Sequence, residues 1–157
     1  MNPPPDIRAA AGDRAGQPGG SSPGPTTAPR PLELVTGTML TADTAQTPGM
    51  RRYAAICGRT VGSQSVWMGL THLAPGARSG THHHGDSETA IYVLSGNPVF
   101  AFAAPDGSEV RLETSPGDFV FVPPGAPHRE ENPAADAEAV VVIARSTQEA
   151  VVVNLDD

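Results

Sequence analysis

The segment Gly76-Ala-Arg-Ser-Gly-Thr-His82-His83-His84-Gly-Asp-Ser-Glu88 contains three of the five histidines of the chain and ends on the carboxylate of Glu88. Alternate side chains of a β-strand share one face, with Cα atoms about 6.6 Å apart, so His82 and His84 can converge on one point. Imidazole nitrogens bind divalent metals at about 2.0 to 2.1 Å, and two such ligands need others from neighbouring strands to complete a site. Glu88 and His128 are the candidates for those further ligands.

His128 lies in the segment Gly117-Asp-Phe-Val-Phe-Val-Pro-Pro-Gly-Ala-Pro-His-Arg-Glu-Glu-Asn132. The alternation of Phe and Val predicts a strand, and the Pro/Gly run after it predicts a turn that redirects the chain. We therefore expect His128 on a second ligand-bearing strand.

These two segments resemble the two motifs of the cupin superfamily, which consists of small β-barrel metalloproteins. The second motif, G(x)5PxG(x)2H(x)3N, is matched at every fixed position by Gly117, Pro123, Gly125, His128 and Asn132. The run HHHGDSETAIYVLSG further resembles a bacterial group of single-domain cupins labelled mannose-6-phosphate-isomerase-like.

The first motif, G(x)5HxH(x)3-4E(x)6G, is matched less closely. Gly76, His82, His84 and Glu88 fit, but seven residues separate Glu88 from Gly96 where the pattern has six. Counting back from Gly96 places Thr89 at the glutamate position, and a slip of one residue sends a side chain to the other face of a strand. A bulge before the strand could still turn Glu88 inward.

The resemblance implies that one divalent metal ion, Fe, Mn, Ni or Zn, is bound by His82, His84 and His128 with Glu88 as fourth ligand. Glu88 could instead accept a hydrogen bond from a ligand, be exposed, or act as a catalytic general base beside the metal. His83 should face the opposite side of its strand. His72 is interpreted as structural, and Cys57 as a small core residue.

Short β-type runs separated by turn residues predict an all-β fold, and the resemblance specifies a small cupin jelly-roll β-barrel, or double-stranded β-helix. Phe100 and Phe102 share one face of their strand, as do Phe119 and Phe121 of theirs, but alternation does not say which face is inside. The predicted strands are Leu34–Leu40, Tyr53–Cys57, Ser65–Leu73, Ala90–Ser95, Val99–Ala103, Glu109–Thr114, Phe119–Val122, Ala139–Ala144 and Val151–Leu155.

Residues 1–31 contain eight prolines and five glycines with few large apolar side chains, which predicts a disordered tail before a single domain at 32–157. Met39 and Met50 are alternative starts. We find no pattern of a signal peptide or a membrane span, so a cytoplasmic location is expected.

Residues 32–157 carry seven arginines, no lysine and fifteen acidic residues, a balance of 7 − 15 = −8. This charge argues against nucleic acid or an anionic membrane as a partner. The lack of lysine excludes Schiff-base catalysis by a lysine amine, and the single Cys57 excludes an intrachain disulfide.

An open metal site in an apolar pocket favours an enzyme acting on a small molecule, with oxidation by dioxygen as the first hypothesis. A metal-dependent isomerase or epimerase, a lyase or cyclase, and a non-catalytic ligand-binding cupin are the alternatives. The segments Ala137–Ala144 and Val151–Val153 predict strands buried on both faces, one of them against a second subunit in a homodimer.

Overall fold

A computed structural model describes residues 30–148 and 150–155 of the chain. In this part of the chain a 3-10 turn at Gly37–Met39 precedes ten strands and one short helix, α1, at Gly58–Val61. The strands are β1 (Met50–Ile56), β2 (Trp67–Leu73), β3 (His82–His83), β4 (Thr89–Ser95), β5 (Val99–Ala103), β6 (Glu109–Glu113), β7 (Phe119–Val122), β8 (Arg129–Glu131), β9 (Ala139–Arg145) and β10 (Val153–Asn154).

The largest sheet contains five antiparallel strands in the order β1-β2-β9-β4-β7. Burial alternates along β2 and β9, because every second side chain points into the core. The inner face supplies most of the apolar core, namely Met50, Ala54, Trp67, Leu73, Ile91, Val93, Val122, Ala139, Val141 and Ile143.

Two smaller sheets, β6-β5-β8 and β10-β3, complete the fold. Phe100 on β5 is buried in the same core as the inner face of the five-stranded sheet, so the sheets pack face to face. The predicted all-β jelly-roll fold is confirmed. The compact unit begins at Glu33, and the predicted disorder of residues 1–31 falls almost entirely outside the described residues.

Most predicted strands are present, and those at Val99–Ala103 and Phe119–Val122 have the expected bounds. The predicted strand Leu34–Leu40 is wrong: this segment forms the 3-10 turn, and Leu34 is exposed. Its β-type sequence is not enough, because a strand forms only where a neighbour accepts its backbone hydrogen bonds. The first bridge to the sheet after this segment is made by Thr41, at Ala54.

Asn132, the last residue of the second motif, stabilises the loops through its side chain. The side-chain amide of Asn132 donates to the carbonyls of Leu73, Ala74 and Ala137, with distances of 3.0, 3.2 and 2.8 Å. Asn132 thereby ties the end of β2 to the loop that precedes β9. Among the described residues there is no helix of the length and apolarity needed to cross a membrane.

Candidate metal centre

Three histidines from two distant segments meet in the interior of the fold. His82 lies on β3, His84 follows directly after it, and His128 directly precedes β8. The backbone N–H groups of His82 and His128 each donate to the carbonyl of the other residue at 2.9 Å. This reciprocal pair fixes the two segments side by side, so the imidazoles reach the same point from adjacent strands.

The imidazole rings are close-packed and shielded from solvent. Their centroids are 4.6 Å apart for His82 and His128, 4.9 Å for His84 and His128, and 5.1 Å for His82 and His84. None of the three residues is more than 4% exposed. The sequence-based prediction that these histidines converge agrees with this geometry.

Backbone carbonyls determine the tautomer of each imidazole. The Nδ1 atoms of His82, His84 and His128 lie 3.0, 3.0 and 2.9 Å from the carbonyl oxygens of Gly80, Val151 and Ala126. A carbonyl only accepts hydrogen bonds, so Nδ1 is the protonated nitrogen in all three rings. The lone pair is then on Nε2, and all three Nε2 atoms are buried without a hydrogen-bond partner.

The electrostatics also favour neutral imidazoles. Burial lowers the pKa of His84 to about 2, and the positive charge of Arg145 acts in the same direction. Burial likewise lowers the pKa of His82, although the negative charge of Glu130 opposes that effect. Neutral imidazoles with a free Nε2 lone pair are the form that binds a metal ion.

Glu130 supplies the carboxylate of the group. One ligand atom from each of His82, His84, His128 and Glu130 can be chosen so that all four lie within 4.8 Å of one another. Glu130 is 1% exposed, and its Oε2 atom has no hydrogen-bond partner. Its backbone is held by Ser79, whose side-chain oxygen accepts from the Glu130 N–H at 2.9 Å. Three imidazoles and a carboxylate can hold one divalent metal ion.

Glu88, the expected fourth metal ligand or catalytic base, lies outside this group. Glu88 is exposed between the buried residues Ser87 and Thr89, and Thr89 is the first inward-facing side chain of β4. A register shift does occur in β4, but it falls between Val93 and Ser95. The alternation upstream of that shift is therefore regular and directs Glu88 outward.

The sequence contained a signal for Glu130 that the motif comparison overlooked. Glu130 is two residues after His128, the same spacing that relates His84 to His82. Residues so spaced on an extended segment share a face, so Glu130 points inward with His128. The family motifs have a glutamate position only in the first segment, whereas strand periodicity in the second segment identifies Glu130 as the inward-facing carboxylate.

The remaining histidines and the cysteine lie outside the group. His83 accepts a hydrogen bond at Nδ1 from the Gly85 N–H at 3.0 Å. His72 pairs with Glu138 at 2.8 Å, and Cys57 is buried in the apolar core. These positions agree with the structural interpretation given to His72 and Cys57.

An apolar cavity of about 340 Å³ has His128 in its wall. It is lined by residues of β7 and β6, which are edge strands of the five-stranded and three-stranded sheets. These two strands are not paired with each other. Its other lining residues are Phe100, Phe102, Ala103, Leu112, Val120, Phe121, Val122, Pro123, Ala126 and Pro127. A cavity of this size accommodates a small organic molecule beside His128.

Comparison with known proteins agrees with this arrangement. The family model described as "Cupin domain" matches residues 69–144, which include all four members of the group. An acireductone dioxygenase of Trichormus variabilis is 32% identical over 71 residues, which cover 40% of this chain and 39% of that protein. The tetracenomycin polyketide synthase protein TcmJ of Streptomyces glaucescens is 35% identical over 79 residues, half of each chain. The chain thus spans between two fifths and half of the length of these relatives.

Among solved structures, a mutant of oxalate decarboxylase from Bacillus subtilis superposes with a TM-score of 0.61. It is 22% identical in sequence, and the match covers 72% of this chain and 30% of that one. At this identity the likeness concerns the fold. The family match, with the two motifs inside it, shows that residues 69–144 form a cupin domain.

Proposed function

We propose that the chain is a mononuclear metal enzyme of the dioxygenase type, with His82, His84, His128 and Glu130 as metal ligands. The observation that carries this proposal is the convergence of three buried, unpartnered Nε2 atoms with a buried carboxylate. Leaving such acceptors unpaired is costly unless a ligand satisfies them. A divalent metal fits, because the donors are neutral imidazoles and one carboxylate.

The residues around the group support chemistry on a small organic substrate. Iron bound by such a donor set would supply dioxygen chemistry, with coordination positions left for ligands other than the protein. The apolar cavity at His128 would hold the body of the substrate and exclude water from it. The resemblance to acireductone dioxygenases over 71 residues points to the same reaction class.

The first test is metal content measured by plasma mass spectrometry on untagged protein. We expect about one metal per chain in the wild type, loss of metal in His84→Ala, and unchanged content in His72→Ala, because His72 lies outside the group. A wild-type protein that stays empty under every metal supplement would contradict the proposal.

The second test asks whether bound iron is open to a diatomic ligand. Nitric oxide is added without oxygen to the iron(II)-loaded protein, and the quartet EPR signal of an iron–nitrosyl centre is recorded. We expect this signal in the wild type and in His72→Ala. A metal-loaded wild type that gives no such signal would favour the alternatives without dioxygen, namely an isomerase, a lyase or a ligand-binding cupin.

We further propose a homodimer formed through the outer face of the five-stranded sheet. One row of apolar side chains crosses all five strands in register, from Tyr53 through Leu70, Val142 and Tyr92 to Phe119. Phe119 is 78% exposed, and its ring lies 4.8 Å from that of Tyr92. Extended apolar surfaces of this kind mark interaction sites.

The sequence suggested two apolar runs as contacts: Val142 of this row belongs to the first, and the second is the terminal valine run. That run contributes only the short β10, which pairs with β3 of the same chain. Light scattering should therefore give a monomer for Phe119→Glu and a dimer for Val153→Glu. The opposite pattern would return the interface to the terminal strand.

A further inference from the structure

The inner face of the five-stranded sheet carries four polar residues that the metal group does not account for. Arg52, Thr71, Thr89 and Arg145 are each at most 2% exposed. Hydrogen-bond partners are absent for Nε of Arg52, for Nε and Nη2 of Arg145, and for both threonine hydroxyls. Buried polar atoms are normally paired, so such a concentration of unpaired donors on one face needs an explanation.

These groups lie in the same interior as the candidate metal ligands. Nη1 of Arg145 and Nδ1 of His84 donate to the same carbonyl, that of Val151, at 3.1 and 3.0 Å. The positive charge of Arg52 adds to the effect of burial in lowering the pKa of His82. Thr89 is the register partner of Arg145 on the neighbouring strand, and both side chains are buried on the inner face.

The orientation of Arg145 leaves one edge of the guanidinium unused. Its Nη1 is occupied by the Val151 carbonyl, whereas Nε and Nη2 are unpartnered. These two N–H groups form the parallel fork that binds a carboxylate through two hydrogen bonds. The guanidinium carbon lies 5.6 Å from the Trp67 ring centroid, and this contact holds the fork in place.

The charges of this interior do not balance. Glu130 and Glu131 are the buried acids in the described part of the chain, and Glu131 pairs with Arg111 and Arg129, which leaves Glu130 to balance Arg52 and Arg145. Burial, with the charge of Arg52, lowers the pKa of Arg145 to about 10, and Glu130 opposes this. Arg145 therefore stays charged at neutral pH. A bound divalent metal would add to the positive excess, and buried excess charge is stable only when it is compensated.

We infer that this interior is a subsite for a small organic anion, whose carboxylate or enolate oxygens bind the Nε–Nη2 edge of Arg145 and the hydroxyl of Thr89. Arg52 contributes a second positive charge. The inference rests on the proposed function in that the anion would be the substrate of the metal centre. It adds a chemical class, because a neutral molecule of the same shape would leave the charge uncompensated.

The test compares glycolate with glycolamide, its neutral isostere, by isothermal titration calorimetry. Both are titrated into zinc-loaded protein and into chelator-treated protein. The variants are Arg145→Met, which keeps the apolar stem and removes the fork, and Arg51→Met as a matched control, because Arg51 is exposed on the outer face. Metal content and circular dichroism are recorded for every variant.

We expect glycolate to bind more tightly than glycolamide, and Arg145→Met to weaken glycolate binding by about 10-fold to 100-fold, the range for a hydrogen bond to a charged group. Arg51→Met should bind like the wild type. Arg145→Lys keeps the charge without the fork, so it should bind glycolate with intermediate affinity. If Arg145→Met does not fold, Arg145→Lys carries the comparison.

Equal binding of glycolate and glycolamide, or wild-type affinity in the folded Arg145 variants, would overturn the inference. Neither result touches the metal content or the nitrosyl signal on which the proposed function depends. Conversely, a protein that binds glycolate after chelator treatment but takes up no metal would retain the anion subsite and lose the proposed function.

Discussion

Replacing Glu130 with glutamine removes the one carboxylate of the candidate metal group with little change in shape. The carboxylate belongs to a group whose ligand atoms lie within 4.8 Å of one another, and the residue is 1% exposed. Loss of a group that merely hydrogen-bonds to a metal ligand weakens metal binding by about 10-fold to 100-fold. Loss of an anionic ligand should exceed this, and we expect at least about 100-fold, or roughly 2.8 kcal/mol.

Glu88→Gln is the matched control, because it makes the same chemical change at an exposed position beside β4. Surface substitutions change free energies by about 0.5 kcal/mol or less, so its metal affinity should stay within about twofold of the wild type. The assay is a zinc(II) competition titration against a chromophoric chelator. Circular dichroism of the metal-free proteins checks that both variants fold.

Wild-type affinity in Glu130→Gln together with weakened binding in Glu88→Gln would contradict the assignment of Glu130 to the metal group. That result would mean that the backbone before β4 is rotated so that the Glu88 side chain faces the interior, as the first motif suggests. Weakened binding in both variants would instead show that Glu88 acts on the site through the backbone of the His84–Glu88 turn.

Two further predictions concern stability. Gly69→Ala places a Cβ atom 2.1 Å from the Tyr53 carbonyl oxygen. We therefore expect a loss of about 3 kcal/mol in the free energy of unfolding, measured with urea. In the control Gly37→Ala, the added Cβ has nothing within 4 Å, so the free energy of unfolding should change by less than about 0.5 kcal/mol. A hydrogen bond from Arg111 helps lower the pKa of Glu131 from 4.5 to about 2, so the stabilisation is complete above pH 4.5 and is lost as the pH falls toward 2. Denaturation curves of the wild type and Glu131→Gln should converge over that interval; a constant difference would exclude this ion pair as the cause.

Local patterns were sufficient to predict the convergence of the three histidines and most of the strands. His82, His84 and His128 could be identified because alternation along a strand brings such residues to one face, and because Pro and Gly mark the turn before His128. The strands at 99–103 and 119–122 were predicted with their observed bounds, since short β-type runs between turn residues leave few alternatives. The segment at 34–40 had the composition of a strand but no neighbour to pair with.

The all-β fold, the cupin motifs and the convergence of the three histidines can be predicted from the chain alone, because each depends on spacing between residues that are near in sequence. Features that depend on pairing between distant segments require the folded structure. Register along β4 directs Glu88 outward, while Glu130 joins the histidines from the other segment. Packing of the two sheets buries Phe100 and exposes Phe119, a choice that alternation leaves open. Arg52 and Arg145, 93 positions apart in the sequence, meet the metal group only because β1 and β9 both border β2.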